Sequence, residues 1–132
     1  MLKVEGINVY YGSIHALKGI SVEVEQGEIV TLIGANGAGK SSILRTISGL
    51  ISPKSGSITF EGKIISGVPA QEIVKLGVSQ VPEGRRIFAN MSVLENLELG
   101  AFLESDKKKV KKRMAMVFER FPRLAERKSQ SA

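Results

Sequence analysis

The 132-residue sequence predicts an α/β fold with a parallel or mixed sheet, and three patterns support this prediction. Segments that alternate apolar and polar residues, as half-buried strands do, are interleaved with segments of helical periodicity. The segment "EIVTLIG" (28–34) is apolar at nearly every position, which is typical of a strand covered on both faces. A glycine-rich stretch and a helix pattern follow it. Strands that alternate with helices around a buried strand indicate an α/β sheet.

The remaining strand patterns lie mostly in the first half of the chain. The segments "KVEGINVYY" (3–11) and "GISVEVEQG" (19–27) alternate apolar and polar residues and are rich in valine and isoleucine. The segment "SGSITFEGKII" (55–65) is predicted to be a hairpin that turns at Glu61–Gly62. A further short strand is predicted in "GVSQVP" (77–82).

Four helices are predicted from their apolar periodicity and their end signals. The first begins at Lys40 and is stopped by Gly49 and Pro53. The second is short, from Pro69 to about Leu76. Ser92 and Glu95 form a capping box for a third helix that runs to about Leu103, and a last helix follows Asp106 and ends at Pro122. The last helix has an apolar face made of Val110, Met114, Val117, Phe118 and Phe121.

Composition excludes several classes of protein. Hydrophobic residues make up 42% of the chain and charged residues 24%, as in ordinary globular domains. The sequence contains no cysteine, which excludes disulfides and thiolate metal sites. No apolar run is long enough to span a bilayer, and the first residues lack a signal peptide's apolar core, so a cytoplasmic location is expected. The net charge of +6 permits an acidic partner without indicating one.

The stretch "GANGAGKSS" (34–42) carries the clearest chemical signal. Gly34, Gly39, Lys40 and Ser41 fit the pattern G-x-x-x-x-G-K-[ST], whose glycines let successive amides point inward around a phosphate. The helix that follows offers its N-terminal amides and its positive dipole end. Lys40 would reach the β- and γ-phosphates, and the Ser41 hydroxyl would bind Mg²⁺. The alternative is a strand-to-helix turn without a ligand. The context of the motif favours binding of a nucleoside triphosphate.

The flanking segments make the chain resemble the nucleotide-binding subunits of ABC transporters. The resemblance covers the whole chain and is closest to the ATPase of branched-chain amino-acid importers, the LivF type. It is carried by "NVYYGSIHALKGIS", "LIGANGAGKSS", "VPEGRRIF" and "VFERFPRL". It implies a P-loop nucleoside triphosphatase fold of which residues 1–132 are the N-terminal half. That half would comprise an antiparallel β subdomain, part of the parallel core sheet, the phosphate loop (34–41), a glutamine loop from Gln80 and the start of a helical subdomain (about 92–128).

The resemblance also implies which residues bind the nucleotide. Tyr11 takes the position of an aromatic residue that stacks on adenine, although a tyrosine packed at a strand end is the alternative and Tyr10 could play that part. Gln80 matches a glutamine that contacts Mg²⁺ or the attacking water, so Ser41 and Gln80 are the implied metal ligands. The implied ATP-binding residues are Tyr11, Gly34, Asn36, Gly37, Ala38, Gly39, Lys40, Ser41 and Ser42.

The implied cofactors are ATP and Mg²⁺, and the implied partners are the other components of the transporter. They are transmembrane permease subunits, a second nucleotide-binding subunit and, indirectly, a substrate-binding protein. The chain would then lie at the inner face of the cell membrane, and no nucleic-acid partner is expected. Branched-chain amino acids are implied as the transported substrate only by the resemblance, and urea and other solutes stay open because the substrate passes through other subunits.

Several parts of the hydrolytic site of that family are not found in the 132 residues. The family uses an aspartate and a glutamate after an apolar strand, an "LSGGQ" signature and a later histidine. Asp106 is the one aspartate and precedes a lysine run, and His15, the one histidine, lies near the N-terminus. This chain alone is therefore expected to bind ATP without hydrolysing it. The missing core strands would leave sheet edges that require another covering, a second chain or a longer natural sequence.

Other conspicuous residues have less specific interpretations. A packing or surface role is favoured for His15. Glu83, Arg85 and Arg86 could contact phosphate or a neighbouring subunit, or could form surface salt bridges. The run "DKKKVKKRM" (106–114) is best explained as the solvated face of a helix, because its lysines surround an apolar stripe.

Three functions are compatible with these features. The first is the ATP-binding subunit of an ABC importer. The second is a soluble ABC-type ATPase that acts on DNA or ribosomes, which the basic charge permits. The third is a non-catalytic nucleotide-binding module. The closeness of the sequence to the importer pattern favours the first.

Overall fold

A four-stranded antiparallel sheet dominates the first of two units into which the chain divides, Met1–Gln80 and Val81–Ala132. The computed structural model describes residues 1–84 and 86–132. The strands lie in the spatial order β2-β1-β3-β4, and every pairing between them is antiparallel. They are β1 (Leu2–Tyr11), β2 (Ile14–Val24), β3 (Ser55–Phe60) and β4 (Lys63–Ile64). The predicted antiparallel β subdomain is therefore confirmed.

Two short turns connect neighbouring strands, and the sequence predicts the second of them. Strands β1 and β2 are joined by Gly12 and Ser13, and β2 begins at Ile14, five residues before the predicted start. Strands β3 and β4 turn at Glu61 and Gly62, whose φ angles of 48° and 77° are both positive. Two successive positive φ angles are the mark of a type I′ hairpin turn, so the predicted turn is confirmed.

The first unit also contains two helices. They are α1 (Lys40–Ile47) and α2 (Ala70–Lys75), and both agree with the predicted helices apart from one or two end residues. The buried apolar core joins the sheet to these helices, and all of its residues belong to the first unit. They are Val4, Ile7, Val9, Leu17, Ile43, Ile58, Ile65 and Ile73.

The predicted strands at 28–34 and 77–82 are wrong for this structure, because neither segment is part of a strand in the described residues. Ile29 and Ile33 are 94% and 93% exposed, although the sequence pattern predicts a strand covered on both faces. An apolar run becomes a strand only beside a neighbour that pairs with its amides and carbonyls. Within the described residues neither segment has such a neighbour, so the parallel part of the predicted sheet is not formed there.

The second unit, Val81–Ala132, contains the three remaining helices, α3 (Val93–Gly100), α4 (Lys107–Arg120) and α5 (Pro122–Glu126). The predicted capping box is confirmed, since the Ser92 hydroxyl accepts from the Glu95 amide and the Glu95 carboxylate accepts from the Ser92 amide. The Ser92 amide and the Ser92 hydroxyl both donate to the Glu95 carboxylate, at 2.7 and 2.8 Å, and hold the pKa of this group below its ordinary value. Helix α3 ends at Gly100, three residues earlier than predicted.

Helix α4 begins directly after Asp106, as the sequence predicts. The Asp106 carboxylate caps it by accepting from the amides of Lys108 and Lys109 at 2.8 and 3.3 Å. The lysines of the run are exposed, which agrees with a solvated helix face. Pro122 ends α4 and also opens α5, a helix that the sequence does not predict. Among the described residues, no helix combines the length and the apolar composition that a bilayer span needs.

Candidate phosphate-binding site

The glycine-rich loop turns into α1 through two left-handed glycines. Gly37 and Gly39 have φ angles of 85° and 90°, and α1 begins at the next residue, Lys40. Gly39 also lies against β2, because a Cβ atom at this position would stand 2.5 Å from Leu17 Cδ2. Only glycine satisfies both the backbone angle and the close approach. The loop is therefore fixed to the sheet at the residue where the helix starts.

The Lys40 side chain folds back over its own loop. Its Nζ donates to the carbonyl oxygens of Gly34 and Ala35 at 2.7 and 2.8 Å. The ammonium group thus lies at the mouth of the loop, near the amides that the motif assigns to phosphate. A bound phosphate would offer this cation charged oxygens in place of neutral carbonyls, which is the stronger kind of hydrogen bond.

Tyr11 reaches the first turn of the same helix. Its hydroxyl lies 3.1 Å from the Ser42 Oγ, and the residue as a whole is 41% exposed. Tyr10 is stacked on His15 instead, with ring centroids 4.1 Å apart. The structure therefore brings Tyr11 to the first turn of α1, whereas Tyr10 stacks on His15; the stacking of Tyr11 on adenine stays a prediction. Among the other implied ligands, Asn36, Ala38 and Ser41 are exposed to solvent.

Gln80 lies at the opposite end of α1. Its Oε1 accepts a short hydrogen bond from the hydroxyl of Ser48, the residue that ends the helix. Seven residues separate Ser48 from Ser41, which corresponds to about 10 Å along the helix axis. The structure thus does not bring Gln80 to Ser41, and the shared metal role of the two residues stays a prediction.

A magnesium ion at this site would depend on few protein atoms. The described residues contain no group of three or more acidic or histidine side chains that could hold a metal ion. Mg²⁺ at nucleotide sites is commonly held by one or two protein oxygens, phosphates and water, and the hydroxyl of Ser41 is a ligand of this kind. Its chemistry there would be to neutralise phosphate charge.

The loop after Gln80 is anchored by a residue that sequence reasoning left without a role. Asn96 Oδ1 accepts from the Phe88 amide at 2.9 Å, and its Nδ2 donates to the Phe88 carbonyl at 3.0 Å.

Arg86 Nε donates to the Glu83 carbonyl at 3.4 Å. Arg85 lies outside the described residues, so its contact with phosphate or a subunit stays a hypothesis.

Comparison with known proteins identifies the family. The sequence matches the family described as ABC transporter over residues 17–131. The chain belongs to the ABC transporter family. It is 49% identical over its whole length to the high-affinity branched-chain amino acid transport ATP-binding protein BraG of Pseudomonas aeruginosa. It is also 34% identical over 94% of its length to the probable branched-chain amino acid transport ATP-binding protein LivF of Archaeoglobus fulgidus.

Solved structures of ABC transporter components have the same fold. A nucleotide-free ATP-binding cassette from an ABC transporter is 28% identical, with a TM-score of 0.82 over 100% of this chain and 57% of that one. An ATP-binding subunit of an ABC transporter is also 28% identical, with a TM-score of 0.83 over 98% and 53%. The chain spans 56% and 52% of the two curated relatives, about half their length. The resemblance and the P-loop fold are thereby confirmed.

Proposed function

We propose that these 132 residues are the N-terminal part of the nucleotide-binding domain of an ABC importer and that they bind Mg-ATP. The observation that carries the proposal is the loop Gly34–Ser42, which opens α1 through Gly39 and has Lys40 and Tyr11 beside it. The chain belongs to the ABC transporter family, and a glycine-rich loop that leads into a helix with a lysine at its start supports phosphate binding.

Each residue of the loop would have a separate task. The loop amides and the N-terminus of α1 would bind the phosphates, and Lys40 would exchange its carbonyl partners for phosphate oxygens. The Ser41 hydroxyl would bind Mg²⁺. The Tyr11 ring would stack on adenine, a contact that needs a flat surface and does not read the base's hydrogen-bonding pattern.

The proposed cargo is branched-chain amino acids, because relatives at 49% and 34% identity are named as parts of transporters for them. The proposed partners are transmembrane permease subunits, a second nucleotide-binding subunit and, indirectly, a substrate-binding protein. The chain would act from the cytoplasm at the inner face of the membrane. Two alternatives are a soluble ATPase that acts on nucleic acid or ribosomes and a non-catalytic nucleotide-binding module. No contact among the described residues favours either of them.

Replacing Lys40 by alanine tests the binding site. The variant is expected to bind Mg-ATP about 1.5–3 kcal/mol more weakly, because it loses a charge-assisted contact with the terminal phosphates. Calorimetric titration measures the difference. Lys63→Ala is a matched control, since Lys63 is an exposed lysine of β4, distant in sequence from the loop. Equal ATP affinity of Lys40→Ala and the parent chain would contradict the assignment.

Replacing Tyr11 tests the base contact. Tyr11→Ala is expected to weaken ATP, ADP and GTP binding together by about 1–3 kcal/mol, the range for base–aromatic stacking. Tyr11→Phe keeps the ring but loses the hydrogen bond to Ser42. It should therefore retain most of the affinity. If Tyr11→Ala binds all three nucleotides like the parent chain while remaining folded, the tyrosine has only a structural role.

A further inference from the structure

We infer that His15 is a positioning residue for Tyr11: it fixes the end of the β1–β2 hairpin and thereby holds the Tyr11 ring beside the phosphate loop. The inference rests on the proposed nucleotide binding. It adds His15 to the residues on which that binding depends, although His15 itself would not contact the nucleotide. Two interactions of His15, one by hydrogen bonding and one by stacking, support it.

The first interaction joins His15 to Asn8 across the hairpin. Asn8 Nδ2 donates to the Gly6 carbonyl at 3.1 Å, and its Oδ1 accepts from the Gly19 amide at 3.1 Å, so the orientation of the amide is determined. The Oδ1 also lies 2.9 Å from His15 Nε2. Because an amide oxygen can only accept, Nε2 must carry the proton and donate it. The imidazole is thereby held in one orientation.

The second interaction is the stack on Tyr10. His15 and Tyr10 are cross-strand partners, and their rings are nearly parallel, with an interplanar angle of 9° and a centroid distance of 4.1 Å. Lys54 Nζ lies 4.9 Å from the Tyr10 ring centroid, and the Lys54 amide donates to the Asn8 carbonyl at 2.8 Å. Tyr10 is therefore restrained from both β2 and the segment that precedes β3.

The restraint on Tyr10 is transmitted to Tyr11 by the backbone. The two tyrosines are consecutive in β1, and successive side chains of a strand point to opposite faces. The His15 stack can thus fix the strand end while leaving the Tyr11 ring free for a base. Only Gly12 and Ser13 separate Tyr11 from its partner Ile14, and Gly12 has a left-handed φ of 59°. Without the stack, this glycine-containing turn would allow Tyr11 to move.

A comparison of two ligands distinguishes positioning from general stability. ATP uses both the phosphate loop and Tyr11, whereas inorganic tripolyphosphate uses only the loop. His15→Ala is expected to weaken ATP binding about 3- to 10-fold, the range for loss of an aromatic pair, and to leave tripolyphosphate affinity unchanged. His15→Phe keeps a ring on Tyr10 and should recover most of the loss. Lys18→Ala, an exposed change on the same strand, should alter neither affinity.

A second readout needs no nucleotide. The chain contains two tyrosines and no tryptophan, so Tyr10→Phe leaves Tyr11 as the one tyrosine emitter. In that background, His15→Ala is expected to increase the quenching of Tyr11 fluorescence by acrylamide, and Lys18→Ala is not. An unchanged ratio of ATP to tripolyphosphate affinity, or unchanged quenching, in folded His15→Ala would overturn the inference. Tripolyphosphate binding that is insensitive to Lys40→Ala would instead overturn the proposed function.

Discussion

In a phosphate-release assay, the 132-residue chain is expected to release no phosphate from ATP above the level of its Lys40→Ala variant. Phosphoryl transfer to water is catalysed almost entirely by positioning and by charge stabilisation. In the proposed site, Lys40, the loop amides and Ser41 would hold the phosphates and the metal. Gln80, the residue implied for contact with the attacking water, instead accepts a hydrogen bond from the Ser48 hydroxyl.

The one aspartate and the one histidine of the sequence have other roles in the structure. Asp106, the one aspartate, caps α4 through the amides of Lys108 and Lys109. His15, the one histidine, is held by Asn8 and Tyr10. Each electrostatic or acid–base group at a catalytic site contributes on the order of 10²–10³-fold in rate. The strand-end aspartate and glutamate, the signature loop and the later histidine that the family uses are not found in these 132 residues. ATP binding should therefore survive while turnover falls to background.

The assay compares the parent chain with Lys40→Ala purified in the same way, because a contaminating ATPase would contribute equally to both samples. Calorimetric titration of the parent sample with ATP shows whether the protein used in the assay can bind ATP. Turnover that disappears with Lys40→Ala and matches the rate of ordinary transporter ATPases would contradict the prediction. It would mean that a residue of this chain orients water.

Gly56→Ala is expected to destabilise the first unit strongly, and by more than the same substitution at Gly62. Gly56 has a φ of 87°, and a Cβ there would lie 2.5 Å from the carbonyl oxygens of both Glu5 and Gly6. The pairing of β1 with β3 shifts register between Glu5 and Asn8, and the Gly6 backbone is itself left-handed. This irregularity brings the two carbonyls close to β3. Backbone atoms cannot move aside as a flexible side chain can.

Gly62→Ala separates the backbone strain from the clash. Gly62 has a similar φ of 77°, but a Cβ there would meet nothing within 4 Å. The control is expected to cost about 1–2 kcal/mol, the penalty of a left-handed conformation, whereas Gly56→Ala adds an overpacking cost of about 1–3 kcal/mol or more.

Urea unfolding followed by circular dichroism gives the free energy of unfolding of both glycine variants. If Gly56→Ala is too unstable for a urea titration, the amide NMR spectrum shows what fraction of the variant is folded. Equal free energies of unfolding for the two variants would show that β1 and β3 separate without cost, which contradicts the close approach of Gly56 to the Glu5 and Gly6 carbonyls.

The sequence by itself determined the local features of this protein. The hairpin turn at Glu61–Gly62, the capping box of Ser92 and Glu95, the start of α4 after Asp106 and the start of α1 after Gly39 all agree with the patterns that predict them. Each depends on residues a few positions apart, whose conformational preferences and hydrogen bonds act within one turn. The phosphate-binding motif belongs to the same class, because its chemistry is contained in one loop and one helix start.

Only the tertiary structure decided which apolar segments became strands and which side chains meet. Residues 28–34 have a clear strand pattern, yet Ile29 and Ile33 are exposed because strand formation requires a partner that is distant in sequence. The contacts of Tyr11 with Ser42, of Gln80 with Ser48 and of His15 with Asn8 link different elements or distant positions. No periodicity encodes such contacts, since they arise only when packing of the core brings the elements together.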